Sequence, residues 1–152
     1  MTEPQEASLT IDDHRQAFTE VSFLLDIFAA TIDNLMGGAT ASVGRIAGRH
    51  MAKNLPLYLA DPNLPDVLAA LAEHMKAGFD ITFQCEDKAA DITFDRCVIR
   101  EVCRSRSLPL GGELCRLFHF YTDGMVNELC QRPAKSALVA SGDQCRARMD
   151  VR

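Results

Sequence analysis

Six cysteines in a chain of 152 residues are the side chains best placed to do chemistry. A thiolate can hold a soft metal, attack an electrophile or pair with a second sulfur. Cys115 opens an amphipathic segment that runs through Gly124 to Cys130, and Cys145 follows a turn, Ser141-Gly142-Asp143-Gln144. The start of a helix and the end of a turn can meet in space although they are far apart in sequence, so a metal or redox site at that junction is expected. Cys115 and His119 lie one helical turn apart on a shared face, as a thiol nucleophile and its base would. No third group can be placed to orient the imidazole, and thiol catalysis is not the reading adopted. Cys130 sits about 22 Å along the same helix at about 1.5 Å per residue, too far to share a small metal centre with Cys115. There is no Cys-x-x-Cys pair.

These side chains need a scaffold, and the apolar pattern supplies one. Thr10-Ile11-Asp12-Asp13 offers capping oxygens for a first helix whose Phe18, Val21, Leu24, Leu25, Phe28 and Ile32 are expected to form one buried stripe. Gly37-Gly38 breaks it, and Ala39 to Lys53 reads as a second helix whose Ala41, Gly44, Ala47 and Gly48 permit close approach of a neighbour. Pro65 suits the first turn of a third helix, Asp66 to Lys76, with Gly78 as its cap. Phe79 to Cys85 and Asp91 to Val98 alternate as a β-hairpin that puts Phe79, Ile81, Phe83 and Cys85 on one face. Val98 to Arg106 fits either a strand extension or a short helix. Glu113 to Cys130 is the last long helix, and Ser136 to Ala140 with Cys145 to Val151 form a second hairpin. The expected fold is α+β, an antiparallel sheet built from two β-hairpins and packed with about four helices.

Composition bounds the rest. Residues 10–152 suit a single domain behind an N-terminal lead-in, 1–9, expected to be disordered. A formal charge of −5 and a pI near 5.3 argue against nucleic acid; Arg96, Arg100, Arg104 and Arg106 alternate with acidic residues and read as a solvated face. The acidic N-terminus lacks the regions of a secretory signal, and Asp26, Asp33 and Asn34 interrupt the longest apolar run, so no membrane span is expected. A cytoplasmic, reducing location follows, in which cysteines read as thiols or ligands and not as a disulfide framework. Asp123 and Glu128 read as solvated helix carboxylates, and His14, His50 and His74 as surface residues. No phosphate-binding glycine loop is present. Aromatic residues including Phe28, Phe118 and Tyr121 could line an apolar cavity, with Met36, Met51, Met75 and Met125 as adaptable walls.

Several of these pieces together resemble the 4-vinyl reductase (hydrocarbon-binding) domain family: Gly37-Gly38 ahead of the small-residue helix with Gly44 and Gly48, Cys115 opening the last helix, Phe120-Tyr121-Thr122-Asp123-Gly124 within it, and Ser141-Gly142-Asp143-Gln144-Cys145. The match spans roughly residues 20 to 151. The resemblance implies a small-molecule-binding or sensory regulatory protein, a binding module more than an enzyme; the family is found in hydrocarbon-binding proteins, in phenol- and xylene-responsive sensor domains and in an accessory protein of bacteriochlorophyll synthesis. It also implies a ligand held between helices and sheet. In the aromatic-sensing members a zinc is held by a cysteine at the start of the last helix, a glutamate and a cysteine before the hairpin turn, and a cysteine after it. Cys115 and Cys145 match the first and last, whereas the middle two fall near Ala134 and Ala137, which cannot bind metal. The set that could replace them is Cys97, Cys103, Cys115 and Cys145, with His119 as a substitute, for zinc or an iron–sulfur cluster. Expected partners are a small apolar ligand and a second copy of the chain, docked through the first helix. An accessory redox or metabolic iron–sulfur role, for example in tetrapyrrole-related metabolism, is the alternative.

Overall fold

A computed structural model describes residues 10–152; the lead-in at 1–9 lies outside the described residues. In chain order the elements are α1 (Ile11–Met36), α2 (Thr40–Asn54), α3 (Leu64–His74), β1 (Phe79–Glu86), β2 (Ala89–Cys97), α4 (Val98–Ser105), α5 (Glu113–Cys130), β3 (Ala134–Ala140) and β4 (Cys145–Val151). The ambiguous segment after β2 is a helix, which makes five among the described residues. The two hairpins lie side by side in one antiparallel sheet, β1-β2-β4-β3, with Phe94 opposite Cys145 where β2 meets β4.

Local signals explain most boundaries. Thr10 and Asp13 form a reciprocal capping box at the start of α1, and Gly37, at φ 60°, ends the helix in the left-handed conformation. Asn63 caps α3 through the amide of Asp66, with Pro65 in the first turn. That helix begins two residues before its expected start and stops at His74, so Gly78 is not its cap; a chain of turns links the two.

The sheet is two-faced. Ala90, Ile92 and Phe94 of β2 and Cys145, Ala147, Met149 and Val151 of β4 point into the core, where they meet Val67, Leu68 and Leu71 of α3 and Met125 and Val126 of α5. Thr82, Gln84, Asp91 and Arg146 face outward. Phe79 stacks on Phe118 at 4.6 Å, and Phe94 meets both rings edge-on. At the other side of α5, α2 crosses at very close range: a methyl group on Gly48 would lie 2.9 Å from the Met125 amide nitrogen, and one on Gly44 2.7 Å from the Phe120 Cβ. The small-residue spacing of α2 is thus realised as a backbone-to-backbone contact.

Helix α1 departs from expectation. Its fully buried residues are Ser22 and Ala29, while Phe18, Val21, Leu24, Leu25 and Phe28 stay 44%, 58%, 51%, 48% and 54% exposed. The rest of the protein meets the helix along Ser22 and Ala29, and the apolar stripe is largely exposed, with Leu25, Phe28 and Ile32 beside α2 and α5. No helix among the described residues is long and apolar enough to cross a membrane.

Candidate functional site

Two neighbouring features occupy the end of the molecule where α4, the start of α5 and the β3–β4 turn converge. One is a cluster of thiols. Cys97 closes β2, Cys145 begins β4, Cys115 is in the first turn of α5 and His119 is one turn further on; all four line a small cavity of about 10 Å³, room for about one water. Cys103 lies on the far side of Cys115, buried with Val102 and Leu114, with the two Sγ atoms 4.0 Å apart. Cys130, at the other end of α5, is remote from this group, as the helix length requires.

Burial governs the chemistry here. Desolvation pushes the Cys97 thiol up, and it pushes Cys103 up to about 12, helped by Cys115 and by the Asp26 carboxylate on α1. His119 packs edge-on against Phe94 and Phe118, and burial lowers its pKa to about 4. The imidazole is therefore neutral at pH 7. Since the folded value lies below the ordinary 6.5, the unfolded chain takes up a proton first, and stability should fall as pH drops from about 6.5 toward 4. His119→Gln should flatten that slope in denaturant titrations run across the same range; an unchanged slope would show that the buried imidazole is not its source.

Arg100 was read from the sequence as part of a solvated face, and the structure buries it to 6% exposure. Its guanidinium donates to the Phe94 and Asp95 carbonyls and lies 3.6 Å from the Cys145 Sγ. Arg96 likewise donates to the carbonyls of Lys76 and Ala77, and Arg104 and Arg106 pair with Asp143 and Glu20. These arginines pin α4 and its flanks in place. The spacing Arg100, Cys103 on one helix face was the available clue, since a residue three before a buried cysteine shares its side.

A closed metal centre asks more of the thiols than this arrangement gives. Two sulfurs on a tetrahedral zinc stand about 3.8 Å apart, given Zn–S bonds of about 2.3 Å, so the Cys103–Cys115 separation of 4.0 Å fits two ligands. Among the described residues, however, no three His, Cys, Asp or Glu side chains come together in a group that could hold a metal ion. As placed, Cys97 and Cys145 do not complete the set.

The second feature is an apolar cavity of about 400 Å³ between α1, α2 and α5, walled by side chains such as Phe28, Ile32, Val43, Leu117 and Tyr121 and closed at one end by Ile99 of α4 and Leu114. Thr40 and Tyr121 bring the hydroxyls among its lining residues. The Thr40 hydroxyl already donates to the Ala29 carbonyl at 3.2 Å, and burial pushes the Tyr121 phenol up, keeping it un-ionised. None of the four methionines expected as adaptable walls lines this cavity: Met36 and Met51 are exposed, while Met75 and Met125 pack in the sheet-facing core. Sequence periodicity could not place the cavity, because it depends on how α1, α2 and α5 pack against one another, which no one helix encodes.

No family model matches the chain, and no curated protein matches it by sequence. Comparison with solved structures finds a shared fold. The phenol-responsive sensory domain of the transcription activator PoxR, solved with phenol, superposes with a TM-score of 0.57 at 12% identity, over 86% of this chain and 74% of that one. An oxygen-binding H-NOX domain related to soluble guanylate cyclases, in its oxygen complex, gives a TM-score of 0.42 at 12% identity over 100% of this chain and 77% of that one, too low to support an argument.

Proposed function

We propose that this chain is a small-molecule sensory domain of the 4-vinyl reductase kind, which takes a compact apolar ligand in the cavity between α1, α2 and α5. The observation that carries the reading is the cavity itself: about 400 Å³, within the range of small-ligand sites, and almost wholly hydrocarbon in its walls. The phenol-binding domain that shares the fold supports the same class of ligand. With the Thr40 proton engaged, the Tyr121 phenol is the hydroxyl among the lining residues left to donate to a ligand. Small unsubstituted aromatics should therefore bind better than charged ones.

Thermal unfolding with toluene, phenol and benzoate tests this directly. Toluene at about 100 times its Kd should add about 2.7 kcal/mol, a rise in Tm of roughly 5–10 °C, and benzoate should add none. Ala47→Phe, at the rim of the cavity, should remove the toluene shift without lowering the Tm of the free protein. No shift with any of the three would sink the proposal.

The outward stripe of α1 supports the expected second copy of the chain. Phe18, Val21, Leu25, Phe28, Ile32 and Leu35 repeat at alternating spacings of three and four, the seam of a helix that pairs with another helix. Leu25 and Phe28 also wall the cavity, so a partner α1 laid on this seam would cover its open side. Val21→Lys with Leu25→Glu should turn a dimer into a monomer in analytical ultracentrifugation, and a wild-type protein that sediments as a monomer at high micromolar concentration would exclude the pairing.

A second reading, zinc or an iron–sulfur cluster on Cys97, Cys103, Cys115 and Cys145 in an accessory redox role, draws on the 4.0 Å Cys103–Cys115 spacing. It requires Cys97 and Cys145 to move toward that pair. Metal analysis after anaerobic purification tests it: stoichiometric zinc or iron, lost in Cys115→Ala, would favour it, and metal-free folded protein would remove it.

A further inference from the structure

We propose that Cys103 and Cys115 are a peroxide-responsive thiol pair whose disulfide fastens α4 to the first turn of α5 and tightens the adjoining wall of the ligand cavity. The proposal's coupling to ligand rests on the cavity reading above; the thiol pair does not. Geometry carries it. The two Sγ atoms are 4.0 Å apart across the α4–α5 contact, with no side chain between them, and a disulfide needs them at about 2.0 Å. The proposed bond takes up that difference by rotation of the two side chains about their Cα–Cβ bonds together with a small shift of α4 against α5.

The two thiols are unequal in a way that orders the steps. Cys115 is half-buried and borders the small cavity next to His119, whereas Cys103 is 1% exposed beneath Val102 and Leu114. Oxidant therefore reaches Cys115 first. Its sulfur attacks one oxygen of a hydroperoxide; an S–O bond forms, the O–O bond breaks, and the thiol proton leaves in a molecule of water (an alcohol if the peroxide is organic). Cys103 then attacks the resulting sulfenic sulfur, the S–S bond forms, and the S–O bond breaks to release hydroxide, which takes the Cys103 proton as a second water. The two sulfurs together lose two electrons and the peroxide gains them. A dithiol reductant reverses the step by exchange.

The consequence for the cavity follows from shared neighbours. Leu114 packs on Cys103 and also closes one end of the apolar cavity, and Ile99 of α4 belongs to both groups. Drawing the sulfurs together moves these two side chains relative to each other, so oxidised and reduced protein should differ in ligand affinity.

The full chain is treated with a small molar excess of hydrogen peroxide, and intact mass, maleimide labelling in denaturant and peptide mapping are read. The expected result is a loss of about 2 Da, a drop from six labelled cysteines to four, a Cys103–Cys115 crosslink, and full recovery with dithiothreitol. Cys115→Ser, at the less buried position, should fold and lose the crosslink, and Cys130→Ser should keep it. Toluene affinity of the oxidised form should change by about tenfold. Sulfinic acid on Cys115, a crosslink between other cysteines, or stoichiometric metal that holds both thiols would overturn the pair. A crosslink with unchanged toluene affinity would overturn the coupling alone, and a crosslink in protein that binds toluene in neither state would refute the cavity reading and leave the thiol pair standing.

Discussion

Replacing Gly48 with alanine is expected to cost about 3 kcal/mol or more, enough to lower the Tm by roughly 10 °C. The reason is the crossing of α2 and α5. A Cβ at position 48 would come within 2.9 Å of the Tyr121 carbonyl carbon and the Met125 amide nitrogen, and still closer to the Tyr121 carbonyl oxygen. These are backbone atoms in the middle of a helix and cannot turn aside as a side-chain tip can. The gain in helix propensity, about 1 kcal/mol for glycine to alanine, acts in the opposite direction and is too small to offset the clash. Gly124→Ala presses on the Arg45 backbone from the other helix and should behave alike, while Gly142→Ala, with nothing within 4 Å, should be close to neutral. Chemical denaturation of the three variants checks the order. A Gly48→Ala protein within about 1 kcal/mol of wild type would mean that the helices are not this close. Because Gly44 and Tyr121 also wall the cavity, any surviving Gly48→Ala protein should bind toluene more weakly.

Asp123→Ala is expected to be the next most damaging change, at about 3 kcal/mol. The carboxylate is fully buried at the centre of α5, not solvated as its place on an amphipathic helix suggested. Its Oδ1 accepts hydrogen bonds from the Ser136 amide at 2.9 Å and the Ser136 hydroxyl at 2.5 Å, so it ties α5 to β3. Arg45 of α2 approaches Oδ2 to 3.6 Å, near enough for charge attraction but too far for a hydrogen bond, and Oδ2 has no donor. Alanine would strand both Ser136 donors and the Arg45 charge. Burial pushes the Asp123 carboxyl up, against the pull of Ser136 and Arg45. A folded pKa above the unfolded one means that the folded form binds the proton more tightly, so this group favours folding increasingly as pH falls toward 3.8 and least above its folded pKa. Asp123→Asn keeps an acceptor for Ser136 and should remove that rise, opposite in sign to the His119 effect. A loss below about 1 kcal/mol for Asp123→Ala would show that Ser136 and Arg45 find other partners.

The contrast between these two positions shows what the sequence could disclose. Gly44 and Gly48 announced a close helix contact because two small residues four apart can only line one face of a helix, and that property belongs to α2 alone. Both hairpins and α5 were legible for the same reason: alternation, turn residues and caps are local. Asp123 was misread because its burial depends on Ser136 and Arg45, which reach it from other elements. Arg100 was misread likewise, since the carbonyls it serves lie at the end of β2. The stripe of α1 was legible as apolar but not as outward-facing, because nothing within the helix says which side the rest of the chain will occupy. Three of the four cysteines expected to meet, with His119, do line one cavity, and the fourth, Cys103, touches Cys115 from behind. The topology that brings β2 beside β4 placed them; ligand spacing in the sequence did not.

That topology also sets a schedule. The strand order β1-β2-β4-β3 puts β4, the last of the described elements, in the interior of the sheet, where it supplies Met149, Val151 and Ala147 to the core. During synthesis the first hairpin and the helices can form as they emerge, but β2 exposes an unpaired edge until residues 145–151 clear the ribosome. Between the completion of β2 and that of β4 the nascent chain therefore carries an open strand edge and an uncovered apolar face, a state prone to pairing with other chains. Ending the chain before Cys145 should accordingly yield aggregates and not a smaller folded domain, as solubility after expression would reveal.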